Sequence, residues 1–399
     1  MATISAEIFV QASPKFAYRA FTNSTSLREW LCDVATVDPH SGGRIYLWWR
    51  GDFYSSGHYL ELDENKKVKF RWYSNIDPAP TEVTVSVTEK DGGSLVRLDH
   101  AVPDDPAWTQ KAKSFRENWM ESLDNLKSVL ETGLDLRIVN RPMLGIMLGD
   151  FTEEQARALN VPVREGQRLD GLLDGMGAQK AGLRTDDVIV GMAGRPVLNN
   201  ANSLLEAIAG KKGGDKIEVV FYRGPEKKTV TMELGKRPIP EVPFNKAGLE
   251  KRIREIYASG LAELDKCFEG VTDAQAMKRP EPNEWSALET VAHLIHGERN
   301  NQNFLTGLID GYEPVTDDFG TNVHAQVQAT VKANPSIALM LDALHRATEE
   351  TLAYISFLPE DFLANKGSYY RFGFILLQPN VHLTGHTRQI KDTLAAARK

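Results

Sequence analysis

Two histidines stand four residues apart near the C-terminal end of this 399-residue chain, in His382-Leu383-Thr384-Gly385-His386-Thr387-Arg388-Gln389-Ile390. At that spacing on a helix the two side chains lie one above the other, so both imidazoles can reach one metal ion. A third ligand is suggested upstream by His293, in Trp285-Ser286-Ala287-Leu288-Glu289-Thr290-Val291-Ala292-His293. Three neutral imidazoles leave at least one coordination position open, which is the pattern of a catalytic metal site, and such a metal acidifies a water or holds a thiolate. His296, one turn past His293, then Glu298 and Gln389 are candidates to orient a ligand or a bound water, with Glu298 or His296 the visible choices for a general base. His40, His58, His100, His324 and His345 have no ligand-like spacing and read as structural or surface residues.

The elements that must hold these residues are helices. Leu249, Ile253, Ile256, Leu261, Leu264 and Phe268 form one apolar stripe, followed by a loop over 270–284 with Pro280 and Pro282. The second helix opens on a capping box, Ser286 with Glu289, and Trp285 before it is placed to pack back onto the first turn. The third begins at Asn334-Pro335 and runs through Ile337, Leu341, Leu344, Leu352 and Ile355, and the fourth begins near Pro379 and carries the histidine pair. Four such helices make a bundle, and bundles build metal sites between facing helices. Before them, Pro238, Pro240 and Pro243 make 238–244 a stiff extended linker.

With 42% hydrophobic and 25% charged residues, the chain is of globular type and long enough for two or three domains. Its net charge of −7, with lysine and arginine spread along the chain, offers no electrostatic footprint for nucleic acid. No apolar stretch is long enough for membrane insertion, the N-terminus reads as no leader, and Cys32 and Cys267 stand too far apart to suggest a disulfide framework. A cytoplasmic location is expected.

Residues 1–134 read as an α+β unit. Ile4, Ala6, Ile8 and Val10 alternate as in a half-buried strand, Ser13-Pro14 opens a short helix, and strand patterns follow at 44–49, 57–62, 67–73, 81–89 and 94–100. A long helix over 106–132, with Phe115, Trp119, Leu123, Leu126 and Leu130 on one face, is expected to cover that sheet. Residues 135–237 read as a small, partly open β-barrel. Its strand patterns lie at 145–148, 169–173, 187–192, 216–222 and 228–234, with a helix at 202–209.

Three resemblances follow from particular runs. Ala12-Ser13-Pro14-Lys15-Phe16-Ala17-Tyr18-Arg19-Ala20-Phe21, Leu27-Arg28-Glu29-Trp30-Leu31, Gly42-Gly43 and the helix with Trp119 resemble the SRPBCC or START-like superfamily, in particular the domain related to activators of a heat-shock chaperone ATPase. That implies a helix-grip fold able to enclose a small hydrophobic ligand, with Trp48, Trp49, Tyr59, Trp72 and Trp119 as candidate cavity residues. Met143-Leu144-Gly145-Ile146 and Gly177-Ala178-Gln179-Lys180-Ala181-Gly182-Leu183-Arg184-Thr185-Asp186-Asp187-Val188-Ile189 resemble PDZ domains of the bacterial type. Such a domain pairs an incoming C-terminal peptide with an open sheet edge. By that resemblance the amides of Leu144, Gly145 and Ile146 receive the carboxylate, and Leu144, Ile146, Leu205 and Ile208 line the pocket for the last side chain.

Residues 245–399 carry Pro280-Glu281-Pro282-Asn283-Glu284-Trp285-Ser286, Val291-Ala292-His293-Leu294-Ile295-His296-Gly297-Glu298 and the C-terminal histidine pair, and resemble the DinB/YfiT-like metal-binding four-helix bundles. The resemblance implies a divalent metal, zinc or nickel, on the matching positions His293, His382 and His386. Two function classes then remain: a metal-dependent thiol S-transferase or hydrolase, or a non-enzymatic, stress-related binding protein in which the metal is structural. Oligomeric state is not fixed by these patterns.

Overall fold

The structure is a computed structural model and describes residues 2–237, 239–313, 324–377 and 381–397. The expected start of the last helix near Pro379 and the linker residue Pro238 lie outside the described residues. Met1–Asp135 together with Pro240–Lys399 form one compact unit, and Leu136–Ile239 form a second.

In the first domain β1 (Ala2–Val10) leads into α1 (Pro14–Thr22) and α2 (Ser24–Trp30), then β2 (Val34–Val37), β3 (Arg44–Trp49), β4 (Phe53–Asp63), β5 (Lys67–Ser74), β6 (Thr81–Lys90), β7 (Gly93–Val102) and α3 (Pro106–Thr132). The strands make a seven-stranded antiparallel sheet in the order β1-β7-β6-β5-β4-β3-β2, so the meander closes by returning its last strand to its first. β4 starts earlier than its sequence pattern predicts. Ser55 and Ser56 look like turn residues, yet Ser55 pairs with both Leu47 and Ser74 inside the sheet. Trp119, Leu123, Leu126 and Val129 of α3 join Val68, Phe70, Val83, Val85 and Leu98 of the sheet in one core.

The second unit holds α4 (Leu136–Val139), β8 (Ile146–Gly149), α5 (Glu153–Ala158), β9 (Gln167–Leu172), α6 (Gly177–Lys180), β10 (Val188–Met192), β11 (Arg195–Pro196), α7 (Ala201–Ala207), β12 (Lys216–Arg223) and β13 (Glu226–Glu233). Its sheet runs β13-β12-β10-β9-β8 with β11 beside β10, so β8 is a terminal strand.

The last part is all-α: α8 (Lys246–Cys267), α9 (Asp273–Met277), α10 (Ala287–Asp310), α11 (His324–Ala333), α12 (Ile337–Ser356), α13 (Glu360–Ala364), α14 (Lys366–Leu377) and α15 (Val381–Ala397). The expected bundle is α8, α10, α12 and α15, whose apolar stripes meet in one core. α14 is an addition the periodicity does not reveal, because Gly367, Ser368, Tyr369, Tyr370, Phe372, Gly373, Leu376 and Leu377 are buried and leave little contrast between its faces.

α14 and the end of α10 also dock the bundle onto the first domain. Arg371 holds the Glu313 carboxylate through Nη1 and Nη2 at 2.8 and 2.5 Å, and Arg28 reaches the same group at 3.0 Å. Ser368 Oγ donates to the buried Glu29 at 2.5 Å, and the Glu313 amide donates to Thr25 Oγ1 at 2.9 Å. α10 ends on Gly311 with φ +80°, whose carbonyl accepts from Asn23 Nδ2 at 2.9 Å. A Cβ there would meet only the movable tip of Arg19, 2.1 Å from Nη2, so it is the left-handed turn that calls for glycine.

Candidate metal centre

His293, His382 and His386 converge from α10 and α15, and each offers a ligand atom within 4.8 Å of the others. The rings meet edge to face, with centroids 4.7–4.9 Å apart. Nε2 of His293 lies 2.8 Å from Nε2 of His382, which identifies the atoms turned towards the common centre. For His386, Nδ1 lies 2.8 Å from Gln389 Oε1. An amide oxygen can only accept, so Nδ1 carries the proton and Nε2 keeps its lone pair.

Burial, followed by the neighbouring His386, His382 and His296, pushes the His293 imidazole down to about 4. Burial and then His386 also lower His382. Neutral rings with their lone pairs free are the form a metal binds. The donor set therefore fits a divalent cation held by three imidazoles.

The helix carrying His293 begins where its sequence says. Ser286 Oγ accepts from the Glu289 amide at 3.2 Å, and the Glu289 carboxylate accepts from the Ser286 amide at 2.8 Å. Arg279 and Gln328 bind the same carboxylate. Burial alone would raise Glu289, but Arg279, the Ser286 amide and Gln328 outweigh it and hold the group below its usual range. Trp285 goes beyond the expected first turn, its ring lying 5.2 Å from that of His293 at a tilt of 48°. Its place just before the cap was legible, but its contact with the His293 ring was not.

The other nearby candidates separate. Gln389 touches His386 directly. His296 Nε2 lies 3.0 Å from Thr330 Oγ1 and 3.3 Å from the Gln326 carbonyl, so that nitrogen is engaged with α11. Glu298 makes its hydrogen bonds with Tyr257 and Thr351. His345 pairs with Asp265, and His100 is buried in the first domain. Trp285, Gly385, Arg388, Gln389 and Asp392 line an open groove of about 700 Å³ beside the histidines.

In the first domain Tyr59, Trp72 and Trp119 are 0–5% exposed and packed into the core, while Trp48 and Trp49 are partly buried. Trp72 lies 5.4 Å from Trp119 and 5.9 Å from Trp49, ring to ring. Trp119 Nε1 donates to His100 Nδ1 at 3.1 Å, and Thr81 Oγ1 lies 2.7 Å from His100 Nε2.

In the second unit Leu144 and Ile146 are partly buried, Leu205 is exposed, and Ile208 belongs to the core. The Leu144 and Gly145 carbonyls accept from Ala178 N at 3.3 Å and Leu173 N at 2.9 Å, which pins the loop in front of β8.

Residues 11–131 match the family described as Activator of Hsp90 ATPase homolog 1-like protein, residues 150–234 the PDZ domain, and residues 257–390 the DinB superfamily. Among curated proteins, the chain is 27% identical over 133 residues to a probable periplasmic serine endoprotease DegP-like of Marinomonas sp. (strain MWYL1), covering 33% of this chain and 28% of that protein. It is 31% identical over 90 residues to the periplasmic pH-dependent serine endoprotease DegQ of Escherichia coli (strain K12), covering 23% of this chain and 20% of that one. The chain thus spans less than a third of the length of either relative.

Among solved structures, it is similar to the Aha1 dimer from Colwellia psychrerythraea at 23% identity, covering 33% of this chain and 97% of that chain with a TM-score of 0.30. It is also similar to PFC0360w, an HSP90 activator from Plasmodium falciparum, at 20% identity, covering 33% and 96% with a TM-score of 0.29. Among the described residues no helix is long and apolar enough to cross a membrane. The chain joins, in this order, a START-like domain of the Hsp90-ATPase-activator kind, a PDZ domain and a DinB-superfamily helical domain.

Proposed function

We propose that the helical domain binds a divalent metal, zinc or nickel, through His293, His382 and His386, and that this centre serves a thiol S-transfer or hydrolysis reaction. The observation that carries the proposal is the convergence of three imidazole donors within 4.8 Å from two helices. The metal would supply Lewis acidity towards a water or thiol. The chain's own residues do the rest. Gln389 holds the His386 tautomer, Trp285 backs His293, and the groove that Trp285 and Gln389 line with Gly385 and Arg388 is the proposed approach for a substrate.

The PDZ domain is proposed to recruit a protein partner by its C-terminal peptide, which adds as a strand to β8. Support comes from the terminal position of β8 and from Leu205 exposed on α7. A hydrophobic ligand in the first domain would have to part rings that now pack on one another, since Tyr59, Trp72 and Trp119 are core residues. Cytoplasmic residence is supported by a chain with only two cysteines, Cys32 and Cys267, 235 positions apart, and cell fractionation tests it against the periplasm named for the curated relatives.

The second reading is a stress-related binding protein whose metal is structural. It is favoured by the direct hydrogen bonds of Glu298 and His296, the nearby candidates for a general base, which go to Tyr257, Thr351 and Thr330. Metal analysis of the purified protein followed by thiol-transfer and ester-hydrolysis assays, with and without metal, separates the two. Turnover that disappears on chelation and in His382→Ala supports the enzyme. Bound metal and an early-melting His382→Ala without turnover of any thiol or ester substrate support the second reading, and failure to take up zinc or nickel at micromolar concentration rejects both.

A further inference from the structure

Glu298 lies on α10 five residues beyond His293 but is not among the groups whose ligand atoms cluster within 4.8 Å. A carboxylate inside a helical bundle is unfavourable unless donors meet it. Two do: Tyr257 Oη at 3.1 Å and Thr351 Oγ1 at 3.0 Å, both landing on Oε2. Burial pushes the Glu298 carboxyl up, and the Thr351 and Tyr257 hydrogen bonds draw it part of the way back. The group is therefore fixed through one oxygen, with the other available towards its surroundings.

Those surroundings include a cavity of about 20 Å³ to which all four bundle helices contribute, with Tyr257, Glu298, Thr348 and His382 as its polar walls and Leu294 and Leu344 among its apolar ones. A space of that size accommodates a water, and a buried water needs two to four polar partners. His382 reaches it from α15. Its Nε2 faces His293, while its Cε1–Nδ1 edge passes Gly297, where a Cβ would fall 3.2 Å from Cε1 and 3.6 Å from Nδ1. The missing side chain at Gly297 lets that edge lie against α10, one residue from Glu298.

We propose that Glu298 is the positioning residue for His382, acting through one water that accepts from His382 Nδ1–H and donates to the Glu298 carboxylate. The two histidines of α15 are then anchored in the same way through Nδ1, His386 by Gln389 directly and His382 by Glu298 from the core. Each keeps the tautomer whose Nε2 lone pair points at the ion. The inference rests on the metal reading of the preceding subsection.

The test is Zn²⁺ affinity by chelator competition on the full chain, for wild type, Glu298→Gln, His382→Ala and the double variant. Glu298→Gln is expected to weaken Zn²⁺ binding about 10–100-fold in the wild-type background. It should change the residual binding of His382→Ala by less than about twofold, because its effect passes through that ring. Wild-type affinity in Glu298→Gln, or an equal loss in both backgrounds, overturns the proposal while leaving the metal reading intact. Absence of Zn²⁺ binding by the wild-type chain overturns the metal reading itself. If Glu298→Gln folds poorly, Glu298→Asp, which keeps the charge but withdraws it by one methylene, is read by the same titrations with the same criteria.

Discussion

In the corner of the bundle where three imidazoles crowd together, the rings of His293 and His382 resist protonation before they bind anything, and His293 is held down to about 4. Trp285 reports on that corner. With its ring 5.2 Å from His293, part of the tryptophan emission should be quenched as Ni²⁺ is titrated in. Trp285→Phe should abolish that component, and His386→Ala should shift its midpoint upward by at least about tenfold through the loss of a ligand. A second residue-scale prediction concerns His100, whose burial pushes it down to about 4 despite the opposing influence of Asp77. The unfolded chain binds a proton there near pH 6.5 and the folded chain does not. The stability this provides is therefore complete above about pH 6.5 and is lost as pH falls towards about 4, to the extent of up to about 3 kcal/mol. Melting temperatures at pH 7.5 and 4.5 should differ less in His100→Gln than in wild type.

At the scale of elements, α10 carries both His293 and Glu298 and depends on its first turn. Ser286→Ala removes the acceptor for the Glu289 amide and should lower stability by about 1 kcal/mol in denaturant titrations. Zn²⁺ affinity should change little, since His293 sits two turns further on. The capping box was legible because its chemistry is local, four residues long and independent of the rest of the fold. The histidine pair was legible because helical spacing alone puts two rings on one face. Other features had no such local signature. α14 has buried residues all round and so shows no amphipathic stripe. β2 is four residues long and gains its pairing from β3. His296 and Glu298 stand two residues apart, and only the packing of α8, α11 and α12 decides that one faces Thr330 and the other Tyr257. The aromatic residues of the first domain look alike as core or as cavity wall until their ring contacts are seen.

For the molecule as a whole, the first domain and the bundle share a buried ionic contact whose strength differs from that of the exposed one beside it. Arg371→Ala leaves the buried Glu313 with Arg28 alone and Glu29 with only the weaker influence of Arg19. It should destabilise the unit by about 3–5 kcal/mol, seen as a lower melting temperature and faster proteolysis near residues 132–135. Lys15→Ala breaks only the exposed pair with Asp361 and should cost less than about 0.5 kcal/mol in the same assays. The Glu29–Ser368 hydrogen bond joins residues 339 apart in sequence, with the whole PDZ domain encoded between them. At about 5–20 residues per second of synthesis, roughly 20–70 seconds separate the making of Glu29 from the making of its partner. Throughout that interval the nascent first domain must present its α2 face to the ribosome's surroundings, with a carboxylate hydrated that the finished protein keeps dry.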